Sequence, residues 1–233
     1  MLELQRGGKM NEIYEKIKYN PLFSGIDAGS FDKMISCMEG KIKTYQPREW
    51  ILLAGEPVST IGIIVGGSVQ ILRESADGKQ NLMAELHESE MFGEVFACAG
   101  VAQSPVSVTS MEDCKVLYLN YRKIITLCPS TCPFHAKLIE NMLTLIAQKT
   151  LLLNQKIEIL SKRTIRERLM LYFDILSKGA SRITIPFSRE ELAAYLCVDR
   201  SAMSAELSQM QKDGLIRYHR NEVQLLPTPK IMN

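Results

Sequence analysis

SREELAAYLCVDRSAMSAELSQMQKDG, residues 188–214, is the stretch that decides the C-terminal architecture. Ser188 stands three residues before Glu191, so its hydroxyl and the carboxylate can satisfy each other's amides as a capping box ahead of Leu192, Ala193 and Leu196. Cys197-Val198 reads as a tight turn and Asp199 as the cap of a further helix, Arg200 to Lys212, with Met203, Leu207 and Met210 at inward-facing steps. Asp213-Gly214 stops that helix. Downstream, Leu215 to His219 and Glu222 to Leu226 flank Arg220-Asn221 as a two-stranded hairpin. Upstream, Ile183 to Pro186 is a short extended segment, and Thr164-Ile165-Arg166-Glu167 opens an earlier helix with the same capping-box pattern, ending near Gly179. Helix, short turn, helix and hairpin make a winged helix-turn-helix, with small Ala193 where the two helices must approach.

In such a motif the second helix enters the major groove of double-stranded DNA, N-terminal residues deepest. Its outward positions here are Arg200, Ser201, Ser204, Ala205, Ser208 and Gln211. Arg200 is the expected base reader, because a guanidinium can donate two bonds to guanine O6 and N7, worth roughly 1–3 kcal/mol of discrimination. Ser188, Arg189, Ser201, Ser204, Arg217 and Arg220 are expected at phosphates or groove edges, which position without reading sequence. Charge agrees in direction: residues 163–233 hold 11 Lys and Arg against 8 Asp and Glu, residues 1–162 hold 17 against 18, and the chain's net charge is +2.

The remaining sequence splits into two characters. Between Tyr45 and Leu119, β-branched and apolar clusters (Trp50 to Leu53, Ile61 to Val65, Val69 to Leu72) alternate with Gly55-Glu56-Pro57, Gly66-Gly67 and Asp77-Gly78, which predicts a compact antiparallel roll. From Pro133 to about Ser161 apolar residues recur at three- and four-residue steps over a stripe wider than one seam. Ile139, Met142, Ile146, Leu153 and Leu160 approximate heptads suited to a dimer partner, and the rest can pack on the roll; a plain core helix is the other reading. The expected fold class is therefore α+β: a double-stranded β-helix or jelly-roll sensor domain over residues 1–130, a dimerisation helix over 131–162 and a winged helix-turn-helix over 163–233. With 233 residues, 46% hydrophobic and 23% charged, the chain has an ordinary globular composition, no bilayer-spanning apolar run and no signal-peptide core, so a cytoplasmic location is expected.

The chain from about Leu22 to Leu226 resembles the Crp/Fnr family, the cyclic-AMP receptor protein and its relatives. The residues that carry the resemblance are Tyr45 to Glu56, Gly67 to Ile71 and Phe92-Gly93-Glu94 in the roll, and Val198 to Leu207 in the recognition motif. The resemblance implies a cyclic-nucleotide-binding-like roll, a homodimer joined through the central helix, a palindromic operator, contact with RNA polymerase, and an effector that resets the two reading heads. It places the effector pocket at Gly93, Glu94, Val95, Ser104 and Pro105. In the cyclic-AMP binders an arginine paired with serine or threonine holds the phosphate; here that pair falls on Ser104-Pro105, which supplies no cation and, at the proline, no amide. Cyclic AMP is therefore not expected to bind tightly, no cofactor is identified, and the small-molecule effector stays unknown. Two departures bear on DNA reading: Cys197 stands where the family often has glycine, and Ala205 where it often has arginine or lysine.

The iron–sulfur relatives carry an N-terminal cysteine cluster, whereas the first cysteine here is Cys37. One thiol group invites another reading: Cys128, Cys132 and His135 place three soft ligands within eight residues, which would suit a metal ion or a redox response. A thiol- or metal-responsive protein is thus the alternative function. No phosphate-binding glycine loop, paired zinc-ligand helix or nucleophile elbow points to an enzyme.

Overall fold

Apolar runs broken by turn residues fold into two four-stranded antiparallel sheets, and the residues between them explain why. The computed structural model describes residues 2–75, 77–126 and 132–226, and the chain divides into two units, Met1–Gln148 and Lys149–Asn233. In the first unit α1 (Leu2–Ile17), a 3-10 turn (Pro21–Phe23) and α2 (Ala28–Cys37) lead into β1 (Lys41–Tyr45), β2 (Trp50–Leu52), β3 (Thr60–Gly66), β4 (Val69–Glu74), β5 (Gln80–Leu86) and β6 (Met91–Phe92). A short α3 (Glu94–Cys98), β7 (Ser107–Ser110), β8 (Cys114–Asn120) and α4 (Tyr121–Ile125) complete the roll, and α5 (Pro133–Leu160) follows. One sheet runs β1-β8-β3-β6 and the other β2-β7-β4-β5. Tyr45, Ile64, Phe92 and Val116 from the first meet Val69 and Val108 from the second, the interior of a jelly roll.

β3 is buried along both faces, as its unbroken apolar run requires. Ile64 points into the roll, whereas Ile61, Ile63 and Val65 join a second core made with Ile13 and Ile17 of α1, Leu22, Phe23, and Phe31 and Met34 of α2. Inside the roll Gly62 opposes Phe92, and a Cβ there would lie 2.3 Å from the ring, so glycine is what lets the aromatic fill the space.

Where α5 lies in this unit, Leu138, Met142 and Leu145 are buried in the helical core, and Asn141 donates to the carbonyls of Leu22 and Ser24 at 2.9 and 2.8 Å. Met142 thus belongs to the inward face, not to the heptad seam expected of it. Leu143, Leu151, Leu152, Leu153 and Ile157 are each more than 60% exposed.

The second unit holds α6 (Ile165–Ser177), β9 (Arg182–Thr184), α7 (Arg189–Tyr195), α8 (Arg200–Lys212), β10 (Ile216–His219) and β11 (Glu222–Leu225). Both capping boxes form, Thr164 with Glu167 and Ser188 with Glu191. Met203, Leu207 and Met210 seat α8 on Leu169, Phe173, Leu192 and Leu196. The hairpin gains a third strand, since β9 pairs with β11 through Ile183 opposite Val223. Among the described residues no helix is long and apolar enough to cross a membrane.

Candidate nucleic-acid interface

The turn between α7 and α8 is built from backbone bonds that only one backbone shape allows. Val198 N–H donates to Ala193 C=O at 3.0 Å and Cys197 N–H to Ala194 C=O at 3.1 Å, the paired bonds of a Schellman ending. Cys197 must then be left-handed, and its φ is +52°. Glycine would adopt this conformation without the steric cost that a Cβ brings. Arg168 of α6 reaches the turn, donating from Nη1 to Leu196 C=O at 3.0 Å and from Nε to Lys162 C=O at 3.0 Å. Asp199 caps α8 by accepting from Ala202 N–H at 2.9 Å. The Ser201 hydroxyl and that amide hold its carboxyl below the usual aspartate value.

The outward face of α8 divides in two. At its N-terminal end Arg200, Ser201 and Ala205 are exposed, and Ser204 is half-buried with its hydroxyl turned back onto Arg200 C=O at 2.9 Å. Further along, Ser208 and Gln211 serve the hairpin instead: Ser208 Oγ lies 3.2 Å from the Tyr218 hydroxyl, and Gln211 Oε1 accepts from Tyr218 N–H at 3.1 Å. Sequence alone gave no sign of this docking, because the partner sits on another element.

Arginines sort the same way. Arg166 pairs with Glu206 at 2.6 Å and Asp213 at 2.7 Å. Arg189, expected at phosphate, instead spans the hairpin turn: Nη2 donates to Arg220 C=O at 2.8 Å and the guanidinium lies 4.9 Å from the Tyr218 ring centre. Ser188, also expected there, accepts from Glu191 N–H as the cap of α7. Arg200, Arg217 and Arg220 are exposed, and their guanidinium groups make no hydrogen bond or ion pair among the described residues. Arg200, Arg217 and Arg220 therefore present uncommitted cationic heads at the start of α8 and on the hairpin, whereas Arg166, Arg168 and Arg189 are engaged within the unit.

In the roll, of the five residues expected at an effector only Gly93 lines the cavity formed with Lys41, Lys43 and Tyr118. Glu94 is buried, Val95 is 48% exposed, and Pro105 faces solvent. Ser104 is buried with its hydroxyl donating to Val106 C=O at 2.6 Å. The cavity, about 290 Å³, is lined by Lys41, Lys43, Tyr45, Phe92, Gly93 and Tyr118 among others. The Tyr45 and Tyr118 hydroxyls meet at 2.7 Å. Burial pushes both phenols above their ordinary value, so the interior polar pair is neutral. Of the thiol group, Cys128 lies outside the described residues; Cys132 and His135 converge with Cys37, which the sequence spacing did not connect to them.

Two family models match the chain, the cyclic nucleotide-binding domain over residues 42–130 and the Crp-like helix-turn-helix domain over residues 150–230. The CRP-like protein Clp of Xanthomonas oryzae pv. oryzae is 22% identical over 210 residues, covering 87% of this chain and 90% of its own. Among solved structures, the catabolite activator protein of Thermus thermophilus aligns with a TM-score of 0.52 at 21% identity, over 88% of this chain and 93% of that one. The c-di-GMP responsive global regulator CLP of Xanthomonas campestris aligns with a TM-score of 0.51 at 21% identity, over 87% of this chain and 100% of that one. At these identities the likeness to solved structures is one of fold.

Proposed function

Because the chain joins a cyclic nucleotide-binding domain to a Crp-like helix-turn-helix domain and so belongs to the Crp/Fnr family of transcription regulators, we propose that it acts in the cytoplasm as a homodimer on a palindromic DNA operator, with Arg200 reading a base in each half-site. The observation that carries this reading is the uncommitted Arg200 at the exposed start of a rigidly capped α8, flanked by Ser201 and Ala205. Arg217 and Arg220 on the hairpin, and the outward Ser204, take the backbone, whereas Arg189 positions the hairpin and Ser188 the start of α7. Exposed Leu143, Leu151, Leu153 and Ile157, on one side of α5, supply the dimer seam. Bound at a promoter, the dimer would act on RNA polymerase, as activator or repressor.

Selection of bound sequences from a random DNA pool, at near-physiological salt, tests this reading. An enriched inverted repeat is expected, and Arg200→Ala should lose about 1–3 kcal/mol on the winning site while retaining non-specific binding. Unchanged preference in that variant would remove Arg200 from the reading role.

For the effector we assign the cavity bordered by Lys41 and Lys43, a mouth suited to an anionic small molecule. Cyclic AMP is not that molecule in this reading, since Ser104 is engaged with Val106 and no arginine stands beside it. Calorimetric titration with cyclic AMP should give no heat. The same titration with c-di-GMP, to which the Xanthomonas campestris relative responds, is the second arm, and Lys43→Glu should weaken any anion that does bind.

A further inference from the structure

Cys37 closes α2, Cys132 directly precedes α5, and His135 stands in the first turn of α5. The two Sγ atoms and a ring nitrogen of His135 all lie within 4.8 Å of one another. Neither thiol is in a disulfide, and both are half-buried, whereas His135 is 2% exposed. The histidine carries the decisive detail. Its Nε2 lies 3.2 Å from the carbonyl of Lys123 on α4, and a carbonyl only accepts, so Nε2 holds the proton. Nδ1 is then a bare lone pair, and it is buried with no hydrogen-bond partner among the described residues. Core packing accounts for two thiols, which readily substitute for small apolar groups. It does not account for an imidazole locked by a backbone carbonyl with its other nitrogen left over, which is how metal-ligating histidines are held.

We propose that Cys37, Cys132 and His135 form a binding site for a thiophilic divalent cation of the zinc class, with water in the fourth position. Zinc–sulfur distances of about 2.3 Å in a tetrahedron place two sulfurs about 3.8 Å apart, so the three groups need close by no more than about 1 Å. Two thiolates and one divalent ion sum to zero charge; a monovalent copper ion would leave a net negative charge in a half-buried place, which costs more. The thiols release their protons as the ion binds. Cys37 and Cys132 keep enough solvent contact to admit the ion and its water. Loaded, the site ties the end of α2 to the start of α5, a link between the helical layer and the long helix that is separate from the effector cavity.

The test uses full-length, reduced, metal-stripped protein titrated with zinc(II) against a chromophoric chelator, with cobalt(II) as a spectroscopic substitute and copper(I) as a separate anaerobic arm. One zinc per chain is expected, together with a cobalt–thiolate charge-transfer band and tetrahedral cobalt absorption. Cys37→Ser and Cys132→Ser should each weaken zinc by more than about 100-fold, beyond what loss of a supporting contact costs, and Cys128→Ser should leave it in place. Circular dichroism checks that each variant folds, and His135→Gln gives a second route to the same loss. Zinc that binds equally well in Cys37→Ser, zinc lost in Cys128→Ser alone, a cobalt spectrum without thiolate character, or binding of copper(I) with none of zinc would each overturn the assignment. These readouts are of ion binding, so they stand or fall independently of DNA recognition.

Discussion

Replacing Arg168 by methionine isolates what one guanidinium does for the reading frame. The substitution keeps most of the apolar stem and removes the donors to Lys162 C=O and Leu196 C=O, both at 3.0 Å, and the longer contact to Cys197 C=O at 3.4 Å. A bond from a charged donor contributes about 1.5–3 kcal/mol when well buried. Arg168 is only half-buried, and water can reach the vacated carbonyls, so about 1 kcal/mol for each of the two shorter bonds is the better figure, about 2 kcal/mol in all. At a urea dependence of about 2 kcal/mol per molar, the midpoint should fall by about 1 M. Tyrosine near-ultraviolet dichroism reports both units, this one through Tyr172, Tyr195 and Tyr218, and the single tryptophan, Trp50, reports the roll alone by fluorescence, so the part of the tyrosine transition that departs from the tryptophan one belongs to this unit. A tyrosine-monitored midpoint shift below about 0.2 M, equivalent to less than about 0.4 kcal/mol, would refute the view that Arg168 holds the turn.

Cys197→Gly should stabilise the protein by about 0.5 kcal/mol, because release of left-handed strain exceeds the extra entropy of the unfolded glycine; a lower melting temperature would contradict this. Gly62→Ala should destabilise the roll by about 1–3 kcal/mol through its collision with Phe92, read as earlier loss of the Trp50 signal in urea, and wild-type behaviour would mean the ring has room to move. Glu167, Glu191 and Asp199 have folded carboxyl values below the ordinary 4.5, 4.5 and 3.8, held down first by the Thr164 amide, the Ser188 amide and the Ser201 hydroxyl respectively. Their contribution is therefore complete above those ordinary values and is lost as pH falls through the depressed ones. Melting temperatures across the acid range should decline there, and Glu191→Gln should flatten part of that decline; an unchanged profile in the variant would remove the Ser188–Glu191 box from the explanation.

Local chemistry was legible and distant pairing was not. Both capping boxes, the Asp199 cap and the inward Met203, Leu207 and Met210 follow from spacings of three and four, which a helix turns directly into geometry. The strand pairing of β9 with β11 depends on residues some forty positions apart, such as Ile183 and Val223, and no spacing rule connects them. The phase of α5 was misread at Met142 because the helix is apolar on more than one side, so periodicity alone cannot say which stripe meets the core. Helix α1 went unforeseen, although Ile13 and Ile17 anchor it, because its apolar residues are sparse and Gly7-Gly8 interrupts their spacing. The internal partners of Ser188, Ser208, Gln211 and Arg189 were only partly legible: the Ser188 cap follows from local spacing, whereas Ser208, Gln211 and Arg189 meet residues of the hairpin that helix periodicity does not reveal. That Cys37 joins Cys132 and His135 was illegible for the reason β9 was, since Cys37 lies almost a hundred residues from Cys132 along the chain.

Tyr218 is the hub on which the hairpin turns out to be fixed. Its amide and hydroxyl are engaged by Gln211 and Ser208 of α8, and its ring carries Arg189 from the start of α7, which also grips the turn at Arg220. Neither arm of this small unit can swing without breaking several of those contacts at once. On the proposed function it would meet a duplex as a caliper with locked jaws, and a groove of the wrong width would have to be accommodated by deforming the DNA, extending discrimination to base pairs the side chains never touch.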